Sequence, residues 1–196
     1  MLAYFLCRSE RVIRSTPAKH TCETHLKAPP QTFQVEFPKK SAKLIPMTTK
    51  IYTDGSCIGN PGPGGWAFLM YEGEETIRKS GGEPYTTNNR MELLAVIKAL
   101  KFTKSKKIAI YSDSSWVVKT MTDNWKRKKN LDLWEKLTPL LTGKEISWNW
   151  VKGHAGHKEN EDCDVRALKE AVKQEKLVRA NPDLATPAQK NLFDTP

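Results

Sequence analysis

Four carboxylates stand where the surrounding pattern has little or only modest use for an acid: Asp54, Glu92, Asp113 and Asp164. Each has a plain structural explanation. Asp54 with Gly55 suits a hairpin turn, although the stronger turn signal, Asn60-Pro61-Gly62, comes later and leaves Asp54 inside a strand-like run. Asn89 and Glu92 approach a capping box, Asp113 suits an N-cap, and Asp164 joins Glu161 and Asp162 in complementing a helix dipole. If the four converge instead, they repel one another unless protonated or bridged by cations. Hard divalent ions take carboxylate oxygens, and Mg²⁺ needs only a few of them. Two such ions about 4 Å apart clamp the attacking and leaving oxygens of a phosphoryl displacement. His154 lies among glycines in Val151-Lys152-Gly153-His154-Ala155-Gly156-His157. Beside such a cluster an imidazole suits proton transfer to a leaving oxygen, and away from it His154 is an ordinary loop histidine.

The elements that must position these residues follow from periodicity. Lys50–Cys57 alternates like a strand, and Trp66–Tyr71 and Ile77–Gly82 continue an antiparallel meander. Asn89–Phe102 carries helical spacing through Met91, Leu94, Ala95, Ile97 and Leu100. Lys107–Ser112 reads as a strand, Ser114–Met121 and Leu131–Leu141 as helices, Ile146–Val151 as a strand and Asn160–Val178 as a long helix. The order β-β-β-α-β-α-α-β-α predicts an α/β fold. Its five-stranded mixed sheet has three antiparallel strands, then crossover units, with helices packed on it. Trp66, Trp134, Trp148 and Trp150 are expected to pack in the core or on the sheet, and Trp116 and Trp125 to face a substrate.

The chain has 196 residues with 32 Lys and Arg against 22 Asp and Glu, a net charge of +10. No apolar run approaches the roughly 18 residues of a membrane span, and a chain this basic tends to meet polyanions. Residues 1–46 hold eight basic residues against three acids and five prolines without sustained periodicity, so they read as a basic, disordered leader. Within it, His20, Cys22 and His25 lack a fourth ligand at zinc-like spacing and read as a polar linker. The four cysteines show no CxxC pair and fit a reducing, cytoplasmic compartment. The Arg-rich leader also allows a transit segment, against which Glu10 and Glu23 weigh, and Met47 is a plausible start by itself.

These residues resemble the type 1 ribonuclease H family over roughly 50–173. Tyr52–Cys57 with Gly59–Gly65 is similar to the first family motif, Thr86–Leu93 to the second, Tyr111–Ser114 to the third, and Trp150–His157 with Glu159–Glu161 and Cys163-Asp164 to the fourth. The resemblance implies a ribonuclease H-like fold with helices on both faces of the sheet. It implies an enzyme that hydrolyses the RNA strand of RNA–DNA hybrids with two Mg²⁺ ions, or Mn²⁺ as substitute, leaving 5′-phosphate and 3′-hydroxyl ends. By the same resemblance Asp54, Glu92, Asp113 and Asp164 are metal ligands and His154 assists proton transfer or product release. Asn60, Thr87, Asn88, Asn89 and Asn160 contact the substrate, and the protein is a monomer. The alternatives left open are a DNA-directed nuclease or transposase-like enzyme of the same fold, and an inactive hybrid-binding module.

Departures from the family pattern matter too. The long basic handle of many bacterial members is shortened here to Asp123–Asn130, in which Trp125 and the cations Lys126, Arg127, Lys128 and Lys129 are expected to grip phosphate. Val165-Arg166-Ala167 replaces the usual continuation and is expected to bring Arg166 near the acids. The leader does not match the family's hybrid-binding domain. The tail, residues 181–196, carries Gln189-Lys190-Asn191-Leu192-Phe193, which resembles bacterial sliding-clamp peptides. The expected organisation is therefore leader 1–46, catalytic domain 47–180 and tail 181–196. If the leader supplies non-specific affinity, truncation to Met47 raises KM for a nucleic-acid substrate and flattens its salt dependence while kcat stays nearly intact. Steady-state kinetics across a salt series checks this, and unchanged KM and salt slope would mark the leader as a bystander.

Overall fold

The computed structural model describes residues 48–185. The leader, its His20–Cys22–His25 group and the Gln189–Phe193 peptide lie outside the described residues. The strands are β1 (Thr49–Cys57), β2 (Gly62–Glu72), β3 (Glu75–Thr86), β4 (Lys107–Ser112) and β5 (Glu145–Trp150). The helices are α1 (Asn88–Phe102), α2 (Ser115–Thr122), α3 (Leu131–Leu141) and α4 (Lys158–Ala180), followed by a short 3-10 turn, Pro182–Ala185. The sheet order is β3-β2-β1-β4-β5. β1 to β3 pair antiparallel, and β4 and β5 extend the sheet in parallel from β1. This is the expected five-stranded mixed sheet.

Strand alternation gives the sheet two apolar faces. On one, Ile51, Phe68, Met70, Ile108 and Ile110 pack against Met91, Leu93, Val96, Ile97 and Leu100 of α1, with Val117 of α2 and Leu133, Trp134 and Leu137 of α3. On the other, Ala67 and Leu69, flanked by Tyr52 and Tyr71, meet Cys163 and Ala167 of α4. Helices therefore cover both faces. Among the described residues no helix is long and apolar enough to cross a membrane.

Three elements run longer than periodicity suggested. β2 and β3 extend through glycine-rich ends, because backbone pairing needs no side chain and continues through Gly64↔Glu83 and Gly65↔Gly82. α4 starts at Lys158, two residues before the expected Asn160. The tryptophans divide differently from expectation. Trp134 is buried, and Trp66 and Trp148 are partly buried against the core. Trp116, expected to face a substrate, packs edge-on against Trp134 with ring centroids 5.5 Å apart. Trp150, expected to pack, is 55% exposed. It pairs with Ser112, the last residue of β4, so its ring passes beyond the covered sheet.

One close approach decides where α1 lies. A Cβ on Gly55 would sit 2.2 Å from the Glu92 nitrogen and 2.5 Å from the Met91 carbonyl carbon. Only a glycine lets the helix backbone press onto β1 there, which carries Glu92 towards Asp54. Gly55→Ala should therefore destabilise the protein by about 1–3 kcal/mol, as overpacking against backbone does. Urea unfolding checks this, and a wild-type midpoint would mean α1 tolerates displacement.

Candidate active site

Asp54 pairs with Ala67 on β2 and lies one residue past Thr53↔Ser112, the last register pair between β1 and β4. Asp113 follows Ser112, so the two acids lie just past the end of the parallel β1–β4 pairing, Asp54 within β1 and Asp113 after β4. This is the edge of an α/β sheet where ligands usually bind. Glu92 comes in from the first turns of α1, through the approach at Gly55. Asp54, Glu92 and Asp113 each offer a carboxylate oxygen, and these atoms lie within 4.8 Å of one another. Asp164, in the second turn of α4, falls outside that tight set but is close enough for its charge to act on Asp54. Its Oδ2 is 3.7 Å from His154 Nδ1. His154 adopts φ +51°, in the left-handed region, and its side chain is 81% exposed.

The electrostatics follow from crowding and burial. The Asp54 carboxyl is pushed up to about 8, first by burial, then by the charges of Asp113 and Asp164, with the Gly55 N–H donated to its Oδ1 at 2.7 Å opposing the rise. Glu92 is raised well above its ordinary value by burial and by the charges of Asp54 and Asp113. Glu92 Oε2 and Asp113 Oδ1 are buried with no hydrogen-bond partner. Buried carboxylate oxygens are normally satisfied, so these two fit an oxygen-liganded divalent cation, which takes hard donors of this type. The structural explanations for the acids do not apply. Thr87, not Asn89, is the N-cap of α1, and Ser114, not Asp113, that of α2. The first-turn acids of α4 are Glu159 and Glu161 rather than Asp164.

Beside Glu92, the Asn60 side-chain Oδ1 accepts the Asn88 backbone N–H at 3.1 Å, joining the β1–β2 loop to the start of α1. The Asn88 side chain reaches towards Glu92 Oε1 at 3.5 Å, and Asn89 is exposed. Asn60, Thr87, Asn88 and Asn89 thus form one ridge at the edge of the acid cluster.

With this geometry the motifs gain a common explanation, and the RNase H family model matches residues 46–172. The chain belongs to the ribonuclease H family. It is 48% identical over 131 residues to a ribonuclease H of Rhodopseudomonas palustris, covering 60% of this chain and 84% of that one. To the ribonuclease H of Paramagnetospirillum magneticum it is 49% identical over 137 residues, covering 62% and 88%. Among solved structures it is similar to LC9-RNase H1, described as a type 1 RNase H with the type 2 active-site motif. That match has 32% identity and a TM-score of 0.55 over 65% of this chain and 73% of the other. The protein is therefore an enzyme of the ribonuclease H class.

Within this ribonuclease H framework three expected residues stand elsewhere than foreseen. Asn160, expected to touch substrate, is only 2% exposed and donates its Nδ2 to Asp113 Oδ2 at 3.3 Å. Arg127 is exposed like its neighbours but is tethered. Its guanidinium lies 4.7 Å over the Trp134 ring and donates to Thr138 Oγ1 at 3.2 Å, because a planar cation gains more from an aromatic face than from open solvent. All four cations of the run are exposed beside Trp125, and among the described residues Lys126, Lys128 and Lys129 have no such ring seat. Arg166 turns from the acids to Asp162, whose Oδ2 also takes Arg78, tying β3 to α4. Two residues went unforeseen. Trp150 Nε1 donates to the Asp113 backbone oxygen at 3.0 Å. Arg90 makes a bidentate pair with Asp132 at 2.8 and 2.8 Å, joining α1 to the start of α3. Nothing local marked either one: Arg90 stands among the polar residues Asn88, Asn89 and Glu92, and Trp150 in an alternating strand.

The raised Asp54 carboxyl has a thermodynamic consequence. The unfolded chain releases this proton near 3.8 and the fold holds it to about 8. The proton-bound form thus favours folding, and without metal this contribution fades as pH rises between those values. Asp54→Asn should raise metal-free stability at pH 8 by on the order of 2 kcal/mol relative to wild type, with a smaller gain near pH 4. Chelator-treated urea melts at both pH values check this, and an equal or negative difference at pH 8 would contradict the crowding.

Proposed function

We propose that this enzyme is an endonuclease that hydrolyses the RNA strand of RNA–DNA hybrids, leaving 5′-phosphate and 3′-hydroxyl ends. In this reading two divalent cations, Mg²⁺ or Mn²⁺, are held by Asp54, Glu92, Asp113 and Asp164. The observation that carries the reading is the buried triad with oxygens within 4.8 Å and two orphaned carboxylate atoms, set in a strongly basic chain. Cations bound there supply Lewis-acid charge to a scissile phosphate. The chain's own residues supply the rest. The ridge of Asn60, Thr87, Asn88 and Asn89 offers polar groups to the duplex backbone beside Glu92. Hybrid recognition rests on 2′-hydroxyl contacts across a wide, shallow minor groove. Trp125, Lys126, Lys128 and Lys129 hold phosphates further along. His154, exposed on its glycine-flanked loop and facing Asp164, passes a proton to the departing 3′-oxygen.

One protein of the same fold, LC11-RNase H1, was solved in complex with an RNA/DNA hybrid, at 23% identity and a TM-score of 0.55. That complex is a property of that protein, and it makes a hybrid the first substrate to offer here. The same reading assigns catalysis to residues 47–180 of a monomer acting in the cytoplasm during replication. It leaves 1–46 and 181–196 as appendages, and Gln189–Phe193 as a peptide for a sliding clamp.

The deciding experiment offers labelled RNA–DNA hybrid, double-stranded RNA and double-stranded DNA to wild type and to Asp54→Asn in Mg²⁺. Cleavage is expected of the hybrid's RNA strand alone, with kcat lowered by roughly 100-fold or more in the variant. Cutting of duplex DNA would support a DNA-directed nuclease instead. Tight hybrid binding without cleavage by wild type would mean a binding module.

A further inference from the structure

Asp113 is gripped from one direction by a single stretch of chain. Trp150, at the end of β5, donates its indole N–H to the Asp113 backbone oxygen at 3.0 Å. The next residue, Val151, donates its backbone N–H to the Ser112 oxygen at 3.0 Å, continuing the parallel ladder one step past the strand. Gly153 comes so close that a Cβ there would stand 2.7 Å from Asp113 Oδ2. Asn160, in the first turn of α4 and 2% exposed, donates Nδ2 to that same Oδ2 at 3.3 Å. The other oxygen, Oδ1, is buried and unpartnered. The backbone and one carboxylate oxygen of Asp113 are therefore both held from outside the triad, and the second oxygen is left over.

Trp150 is otherwise hard to explain. A tryptophan 55% exposed at the rim of a sheet adds little to the core, yet its one polar atom is spent on the residue that carries a triad acid. Asn160 is similarly costly, since its own Oδ1 is buried without a partner. Such a cost is tolerable where the remaining hydrogen bond fixes a group that must not rotate. Outer-shell donors of this sort orient metal-binding carboxylates and set their affinity.

We infer that Trp150 and Asn160 are positioning residues for Asp113: the indole fixes its backbone, the amide occupies Oδ2, and Oδ1 is thereby presented to the divalent cation. Because Asn160 and Asp164 stand one turn apart on the same side of α4, the amide also ties the helix bearing the fourth acid to the strand bearing the third. The inference rests on the cation-binding reading proposed above.

The test measures Mn²⁺ binding by calorimetry, which is separate from turnover. Trp150→Phe keeps a ring and deletes the N–H, and Asn160→Ser keeps a polar group too short to reach Asp113. Each should weaken Mn²⁺ binding roughly tenfold and lower kcat at limiting Mn²⁺. High Mn²⁺ should restore kcat in part, and KM for the hybrid should stay within about twofold of wild type because neither group meets the substrate. Asp113→Asn serves as the reference. If that variant binds Mn²⁺ like wild type, the cation reading itself is wrong. If it loses Mn²⁺ while Trp150→Phe and Asn160→Ser keep wild-type affinity, the cation reading stands and the positioning role falls. Trp150→Ala adds a check on the indole. If only the alanine variant weakens binding, the ring and not its N–H acts, which overturns the assignment of the hydrogen bond. Should Asn160→Ser fail to fold, the Trp150 pair decides alone.

Discussion

Like charges drawn out of water into one small volume are the constraint on which the rest of this structure depends. Three carboxyl groups within 4.8 Å of one another, two of them on residues nearly shut off from solvent, oppose folding. Both Asp54 and Glu92 hold their protons well above the ordinary carboxylate range as a result. A chain that only needed to fold would place amides or apolar groups there. The arrangement makes sense when something outside the chain supplies compensating positive charge. The fold therefore has to be stable enough elsewhere to tolerate the cluster while it waits.

That stability comes from covering the sheet twice. The larger core, between the sheet and α1 to α3, contains the aromatic and aliphatic bulk, including Trp134, Phe68, Ile51 and Leu137. The smaller one uses Ala67, Ala167 and Cys163 so that α4 lies close to β2. This division also brings the acids together. Asp54 and Asp113 come from adjacent parallel strands, Glu92 from a helix on one face, and Asp164 from the helix on the other. Removing either layer would lose one of the four acids as well as a share of the core, so packing and the acid cluster are fixed by the same contacts.

Much of this was legible before any coordinates. Five strands and four helices follow from alternation and helical spacing, and each acid was visible as a residue its local pattern did not require. The motifs around Asp54, Glu92, Asp113 and Asp164 are contiguous stretches, and contiguous stretches can be matched. What escaped were side chains whose partners lie far along the chain. Trp150 looks like any alternating strand residue until Asp113, 37 residues earlier in sequence, comes beside it. Arg127 is one of four consecutive cations until Trp134 offers it a ring face. Asn160 sits in a helix start rich in polar groups, and only its burial against Asp113 separates it from its half-buried neighbours. The glycine-rich ends of β2 and β3 read as turns because composition reports side chains, while the ladder there is made by backbone.

The pair Arg90–Asp132 connects these observations to the binding of a long polyanion. Arg90 lies between Asn88 and Asn89 on one side and Glu92 on the other, and its guanidinium spans to Asp132 with a further contact to Asn130. Asn130 closes the loop that carries Trp125 and the outward lysines, and it holds a left-handed conformation at the start of α3. Asp132 is kept ionised by that guanidinium, its carboxyl lowered below the ordinary range. A bidentate pair with one partner buried is geometrically demanding and contributes direction more than net stability. Here the direction it fixes is that of the lysine-bearing loop relative to the acids. A flexible handle can adapt its grip on phosphates to wherever the scissile bond falls. A short loop pinned by Arg90 and by the seat of Arg127 on Trp134 cannot, so on the function proposed above the spacing between phosphate contact and cleavage centre is set by the protein core.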